Sequence, residues 1–179
     1  MFAYGLGSNR RRVGVNEHLL NIFDEVLLRH DHSITCGPRQ PDEQQRLYTT
    51  GASQVPGREP NGEVHEFPHM PREDGAWAMD VWPYVDNKAI QVEDYDAIIS
   101  AIYAGEGKKF LVHSIGQYCQ FAFFAGIVFE VAGDYFSNTP EADFRLVWGG
   151  NWDEDASILI DQGFDDFPHW QLVPGRDSK

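Results

Sequence analysis

Two segments of this chain put histidines and carboxylates close together. His65-Glu66-Phe67-Pro68-His69 ends a long irregular stretch and is followed by Asp80. Near the other terminus stands Asp165-Asp166-Phe167-Pro168-His169-Trp170. Two histidines and one carboxylate are a common catalytic zinc set that leaves a fourth position for water. Asp80 interrupts an otherwise apolar strand, and the two-residue period puts it on the face of Ala78 and Trp82, which argues against simple solvation. The plainer reading stands beside this one. A single histidine among seven is more often a surface or internally satisfied side chain than a ligand, and an Asp at a strand end is often a turn or a cap.

The elements that must position these groups read as follows. Over residues 16–30, Leu19, Leu20, Ile22, Phe23, Val26 and Leu27 fall on one stripe at helical spacing. Asn16 is placed to cap that helix, with Arg29 and His30 at its negative end. Residues 33–36 read as a short strand stopped by Gly37-Pro38, and a second helix runs over 41–48 with Asp42 and Glu43 in its first turn. Residues 51–75 carry four glycines and four prolines. A loop that long in a compact domain is usually functional or disordered. A strand over 77–82 follows, then helices over 92–104 and 115–132, the second almost wholly buried. A strand over 145–148, a Gly- and Asp-rich loop over 149–163 and a last strand over 168–173 close the chain. Helices and strands mix without regular βαβ alternation, so the expected class is α+β.

The chain has 179 residues, of which 23% are charged and 42% hydrophobic. This is the composition of an ordinary globular domain, and it excludes disorder as the dominant state. One domain over 1–179 is expected, with 1–11 and 174–179 as peripheral tails. A net charge of −14 argues against nucleic acid and anionic membrane surfaces as partners, since Arg10-Arg11-Arg12 is the only basic run. The most apolar stretch, 121–132, contains Glu130 and falls well short of the roughly 20 residues needed to cross a bilayer, so no stable membrane insertion is expected. No secretory signal is read at the start. Cys36 and Cys119 are expected as small, buried, free thiols of a chain made in a cytosol.

Several motifs then line up in order. Residues 12–20 read Arg-Val-Gly-Val-Asn-Glu-His-Leu-Leu, and Gly37-Pro-Arg39-Gln-Pro-Asp-Glu-Gln44 follows a Gly-x-Arg-x-x-x-x-Gln pattern. Ala78-Met-Asp80 follows Ala-x-Asp; Trp148-Gly-Gly-Asn-Trp152 follows Trp-Gly-Gly-x-Trp; Asp166-Phe-Pro-His169 follows Asp-x-x-His. From about Arg12 to Val173 the chain resembles phage endolysins of the peptidoglycan L-alanyl-D-glutamate endopeptidase type, zinc peptidases related to D,D-carboxypeptidases and D,D-dipeptidases.

The resemblance implies a small antiparallel sheet flanked by helices, with a zinc cleft on the sheet and no separate wall-binding domain. It implies one Zn²⁺ per chain held by His69, Asp80 and His169, with Asp166 as catalytic acid/base. Arg39 becomes the cation facing the scissile carbonyl or a substrate carboxylate. Gln44 is a candidate substrate contact that more naturally supports the helix presenting Arg39. Trp148 is a further candidate contact, although Trp148 and Trp152 read equally well as core or loop-anchoring aromatics. The family's usual Ser-x-His-x-x-Gly-x-Ala-x-Asp places histidine seven residues before the aspartate. Here that position is Glu73, and Phe67 stands where the serine would be. Three solutions remain: His69 with an insertion over 70–75, His65, or Glu73. His69 is preferred, because loop insertions cost little entropy and a second carboxylate would leave the bound water less acidic. The implied substrate is bacterial peptidoglycan. The implied protein is a monomer made in the host cytoplasm that acts on the wall after release. A D,D-carboxypeptidase on the same scaffold and a catalytically silent wall-binding protein are the alternatives.

Overall fold

The computed structural model describes residues 1–90, 108–152, 154 and 166–175, with the backbone alone for 108–115. The expected helix over 92–104, Asp165 and most of the loop over 149–163 lie outside the described residues.

Helix α1 (Leu6–Arg11) opens the chain. Helix α2 (Glu17–Arg29) forms where the apolar stripe predicts it. Its cap is Asn16, whose side-chain oxygen accepts the His18 N–H at 3.0 Å. Strand β1 (His32–Cys36) follows directly, and helix α3 (Pro41–Thr49) starts on a proline whose missing N–H costs the first turn nothing. Strand β2 (Ala78–Val85) turns back through Asp86 and Asn87 into the short β3 (Lys88–Ala89). Both turn residues have positive φ, which Asp and Asn tolerate better than other side chains. Helix α4 (Lys108–Asn138), strand β4 (Phe144–Trp148) and strand β5 (His169–Pro174) complete the described elements.

The strands form one antiparallel sheet in the order β1-β2-β5-β4, with β3 on the end of β2. Alternation divides its residues. Met79, Val81, Trp170 and Leu172 are buried in one core with Leu19, Ile22, Phe23 and Val26 of α2 and Phe121, Phe124 and Val128 of α4. Phe23 sits at the centre of this layer, its ring 5.6 Å from those of Trp170 and His32. Truncating a phenylalanine so placed to alanine costs about 3–5 kcal/mol. Ala78, Asp80, Trp82, His169 and Gln171 alternate with the core residues and stand on the other face. The α+β architecture with a small sheet flanked by helices is thus present.

Three expectations need correction. The segment over 1–11 holds a docked helix, Leu6–Arg11: β1 is an edge strand, and Ser8 Oγ accepts the Ile34 N–H at 3.1 Å, while the Tyr4 hydroxyl meets His32 Nε2 at 2.7 Å. A short polar helix that covers a strand edge has no apolar stripe to betray it. Helix α4 runs beyond both expected ends and is half buried, with Phe123 62% and Phe129 42% exposed. It packs one face against α2 and the sheet; its outer face carries glycines, Cys119 and aromatics, so composition hid the sidedness. Cys119 is accordingly exposed and Cys36 half-buried, both with free thiols. Residues 116–138 are long and apolar enough for a membrane span by length and composition. Their inner face, from Phe121 to Ala132, is in the protein core.

Candidate active site

Asp80 and His169 are direct partners across the β2–β5 pair, so backbone hydrogen bonding alone sets them side by side on one face. His69 joins them from the loop before β2. Its carbonyl accepts the Arg39 N–H at 2.8 Å, and the neighbouring Pro68 carbonyl accepts the Trp77 N–H at 3.1 Å. The chain between leaves and returns through a turn at 72–75 closed by Gly75, whose φ of 94° favours glycine. A Cβ at Gly75 would also stand 2.6 Å from the Asn16 nitrogen.

The donor atoms converge. His69 Nε2 lies 3.2 Å from Asp80 Oδ1 and 3.2 Å from His169 Nδ1, and His169 Nδ1 lies 3.3 Å from Asp80 Oδ1. Three ligands each ~2.0–2.1 Å from one tetrahedral ion stand about 3.3–3.4 Å apart. The triangle has that size. Asp80 Oδ1 is buried between the two imidazoles. The outer ring nitrogens are engaged: His69 Nδ1 donates to the Gly37 carbonyl at 2.9 Å and His169 Nε2 to Gln171 Oε1 at 3.1 Å. With that proton on the outer nitrogen, each inner nitrogen offers a lone pair once a metal displaces any second proton. His69, Asp80 and His169 form a group that could hold a metal ion.

The same contacts move the charges. Burial alone would lower the His69 pKa, but its hydrogen bond to Asp80, the Cys36 sulfur beside it and the Asp80 charge raise it to about 10. Burial likewise favours a neutral Asp80, yet hydrogen bonds from His169 and His69 and their charge hold its carboxyl far below the usual range. Asp166, on the turn just before β5, is pushed up first by burial and then by the Asp80 charge, against the pull of His169, His69 and Arg39. A half-buried carboxyl raised toward neutrality beside a cationic cluster is suited to exchanging protons.

Arg39 is clamped. Its guanidinium donates to Gln44 Oε1 at 2.7 Å and to Cys36 Sγ at 3.0 Å, and lies 3.6 Å from Asp80 Oδ2. Gln44 is buried, and its amide nitrogen donates to Ser53 Oγ and the Val55 carbonyl. These groups line a cleft of about 620 Å³ whose walls include Ser53, Trp82, Trp152 and Asp166.

A solved structure shows the same architecture. The L-Ala D-Glu endopeptidase ChiX of Serratia marcescens is 18% identical to this chain, over 96% of it and 90% of the endopeptidase, with a TM-score of 0.57. The two chains share a fold. No family model matches the sequence, nor does the sequence of any curated protein.

Within this shared fold the candidate residues sort by position. His69, Asp80 and His169 come together, with Arg39, Gln44 and Asp166 around them. His65 does not join the group: its Nδ1 pairs with Glu59 at 2.6 Å on the loop. Glu73 is exposed on a separate groove with Glu17 and Asp74. Gln44 spends both ends of its amide on Arg39 and the loop, as a support for Arg39 would, and it also lines the cleft. Trp148 is not in the cleft wall. It is 2% exposed, stacks on Trp170 at 5.8 Å and donates its indole N–H to the Phe167 carbonyl, because its place in β4 faces the core. Trp152 lines the cleft instead, its ring 5.1 Å from that of His169. Gly149 serves close approach: it has no left-handed backbone, and a Cβ there would meet the Asp166 carbonyl, Trp152 and His169 Cβ. Sequence reasoning passed over Gln171 and the role of Cys36. Their spacings, two residues after His169 on a strand and three before Arg39, were the available signals.

Proposed function

We propose that the protein is a zinc-dependent peptidoglycan hydrolase that cuts a peptide bond in the stem peptide, in the manner of an L-alanyl-D-glutamate endopeptidase, and that it serves wall lysis. The observation that carries this reading is the convergence of His69 Nε2, Asp80 Oδ1 and His169 Nδ1 at 3.2–3.3 Å beside a half-buried carboxyl, Asp166, whose pKa is raised. The shared fold with ChiX supports the choice of substrate class. When bound by His69, Asp80 and His169, zinc supplies Lewis-acid chemistry, polarising a carbonyl and acidifying a water.

The remaining work falls to the chain's own groups. Asp166 takes the proton of the attacking water and passes it to the departing amine, a role worth about 10²–10⁴ in rate. The Arg39 guanidinium, held by Gln44 and Cys36, presents fixed positive charge where negative charge develops on the scissile carbonyl oxygen. Losing one such donor typically costs ~10²–10³. Trp82 and Trp152 wall the cleft and limit water around these groups. Zinc-loaded protein should clear outer-membrane-stripped cells, and chelation should stop it. Mass spectrometry of the digested muropeptides should show cleavage between the first two stem residues, with L-alanine left on the glycan strand and released peptides that begin with a free D-glutamate amine. Release of a terminal D-alanine would reassign the protein to D,D-carboxypeptidases, and zinc-loaded protein without any lytic activity would refute the reading.

A further inference from the structure

Metal-binding imidazoles work through one nitrogen, and the acceptor on the other nitrogen decides which one that is. In His69 the outer Nδ1 donates to a main-chain carbonyl, that of Gly37. In His169 the outer Nε2 lies 3.1 Å from a side chain, Gln171 Oε1. Gln171 occupies the same strand two residues on, so it shares the face of His169. Its backbone is fixed on both sides, paired with Ala78 of β2 and Val147 of β4. The acceptor is therefore delivered by the sheet and not by a loop.

We propose that Gln171 is a positioning residue for the metal centre: its carbonyl oxygen holds His169 in the tautomer with the proton on Nε2, leaving the Nδ1 lone pair aimed at the point shared with His69 and Asp80. The opposite arrangement is chemically incompatible with that centre. An amide nitrogen facing Nε2 would require the proton on Nδ1. That proton would point between His69 Nε2 and Asp80 Oδ1, each within 3.3 Å. Gln171 also lines the cleft, so the residue that orients the ligand sits at the wall a substrate would touch. His69 Nδ1 has the Gly37 carbonyl and, at 4.0 Å, the Cys36 sulfur; among the described residues Gln171 is the side chain on the outer nitrogen of His169, which makes the effect accessible to substitution.

The proposal rests on the metal reading of the site, and the test separates the two. Zinc affinity is measured by competition with a chromophoric chelator for wild type, Gln171→Leu and Gln171→Glu. Leucine keeps the volume without an acceptor and should weaken zinc binding about 10- to 100-fold, the usual loss for such a partner. Glutamate keeps an acceptor and should hold zinc within a few-fold of wild type or more tightly. Nitrogen-15 spectra of the zinc-loaded wild type should show His169 metallated at Nδ1 and protonated at Nε2, a signature that stands even if the leucine variant does not fold. Wild-type affinity in the leucine variant, or metal on His169 Nε2, would overturn the role of Gln171 while leaving the zinc site intact. A wild type that takes up no zinc would overturn the metal reading, and this role with it.

Discussion

Replacing Asp166 with asparagine keeps the side chain's shape and removes its ability to accept a proton. Asp166 lies in the cleft with its carboxyl pushed upward by burial and by Asp80. If it is the general acid/base, Asp166→Asn should slow wall lysis by about 10²–10⁴, or roughly 3–5 kcal/mol of barrier. Stability should move the other way. A carboxyl whose folded pKa lies above its unfolded value of 3.8 contributes favourably only below that value, and the contribution is lost as pH rises through the folded pKa. At pH 7 the ionised side chain is therefore a cost of folding that asparagine does not carry. The variant should unfold at the same or a higher temperature than wild type at pH 7, with the difference shrinking toward pH 4. The assay pairs initial rates of turbidity loss on outer-membrane-stripped cells, at equal zinc content, with calorimetry at the two pH values. Asp165→Asn, which removes the same charge one residue earlier, should be much milder. A fully active Asp166→Asn, or a dead Asp165→Asn, would refute the assignment of the base; a variant several degrees less stable at pH 7 would refute the account of its electrostatics.

His69→Ala should abolish the single zinc measured by elemental analysis while His65→Ala keeps it. Chelation of a site held at about 100 times its Kd removes about 2.7 kcal/mol, which for a chain of this size lowers Tm by about 5–11 °C. Gly149→Ala should impair zinc affinity and lysis together, because its Cβ would meet the Asp166 carbonyl, Trp152 at 2.9 Å and His169 Cβ at 3.0 Å. Gly126→Ala, on the open face of α4, should instead leave activity alone and stabilise by up to about 1 kcal/mol. His32, lowered to about 4 by burial despite a helpful contact from the His30 carbonyl, binds its proton in the unfolded chain first. Stability should therefore be full above pH 6.5 and fall by up to about 3 kcal/mol as pH drops toward 4, a slope in urea titrations that His32→Gln should lose.

Legibility in the sequence followed how local each cause is. Helices α2 and α3 were readable because a cap, a first-turn proline and an apolar stripe are all written in neighbouring residues. Asp80 was readable because it breaks an apolar strand, and His169 because Asp166 stands three residues before it. The sidedness of α4 was not, since glycine, alanine and cysteine on its open face carry no polar signal. Nor was the docking of α1, whose cause is an unpaired N–H of Ile34 on a distant strand edge. Trp148 and Trp152 could be told apart only by register: the β4–β5 pairing sets Trp148 opposite Trp170 and so into the core, while Trp152 lies beyond the strand beside His169.

The hardest case was His69, eleven residues before Asp80 where seven are usual in the family the sequence resembles. The structure supplies the reason such a change is affordable. His69 is not located by the residues that follow it. It is located by the segment over 37–39, through the Gly37 carbonyl on its ring and the Arg39 N–H on its carbonyl. Strand β1, which leads into that segment, is in turn pinned to β2 with Cys36 opposite Asp80. The ligand's position is thus fixed from its far side, and the stretch over 70–75 only has to close a gap whose two ends are already set. Lengthening a surface loop under those conditions costs roughly 0.6 kcal/mol per doubling. The centre can therefore keep its 3.2–3.3 Å triangle while the spacing drifts, and Arg39, which shares a hydrogen bond with His69 through its own backbone, keeps step with it. On this account, shortening the 70–75 loop should be tolerated far better than any change that detaches residues 37–39 from His69.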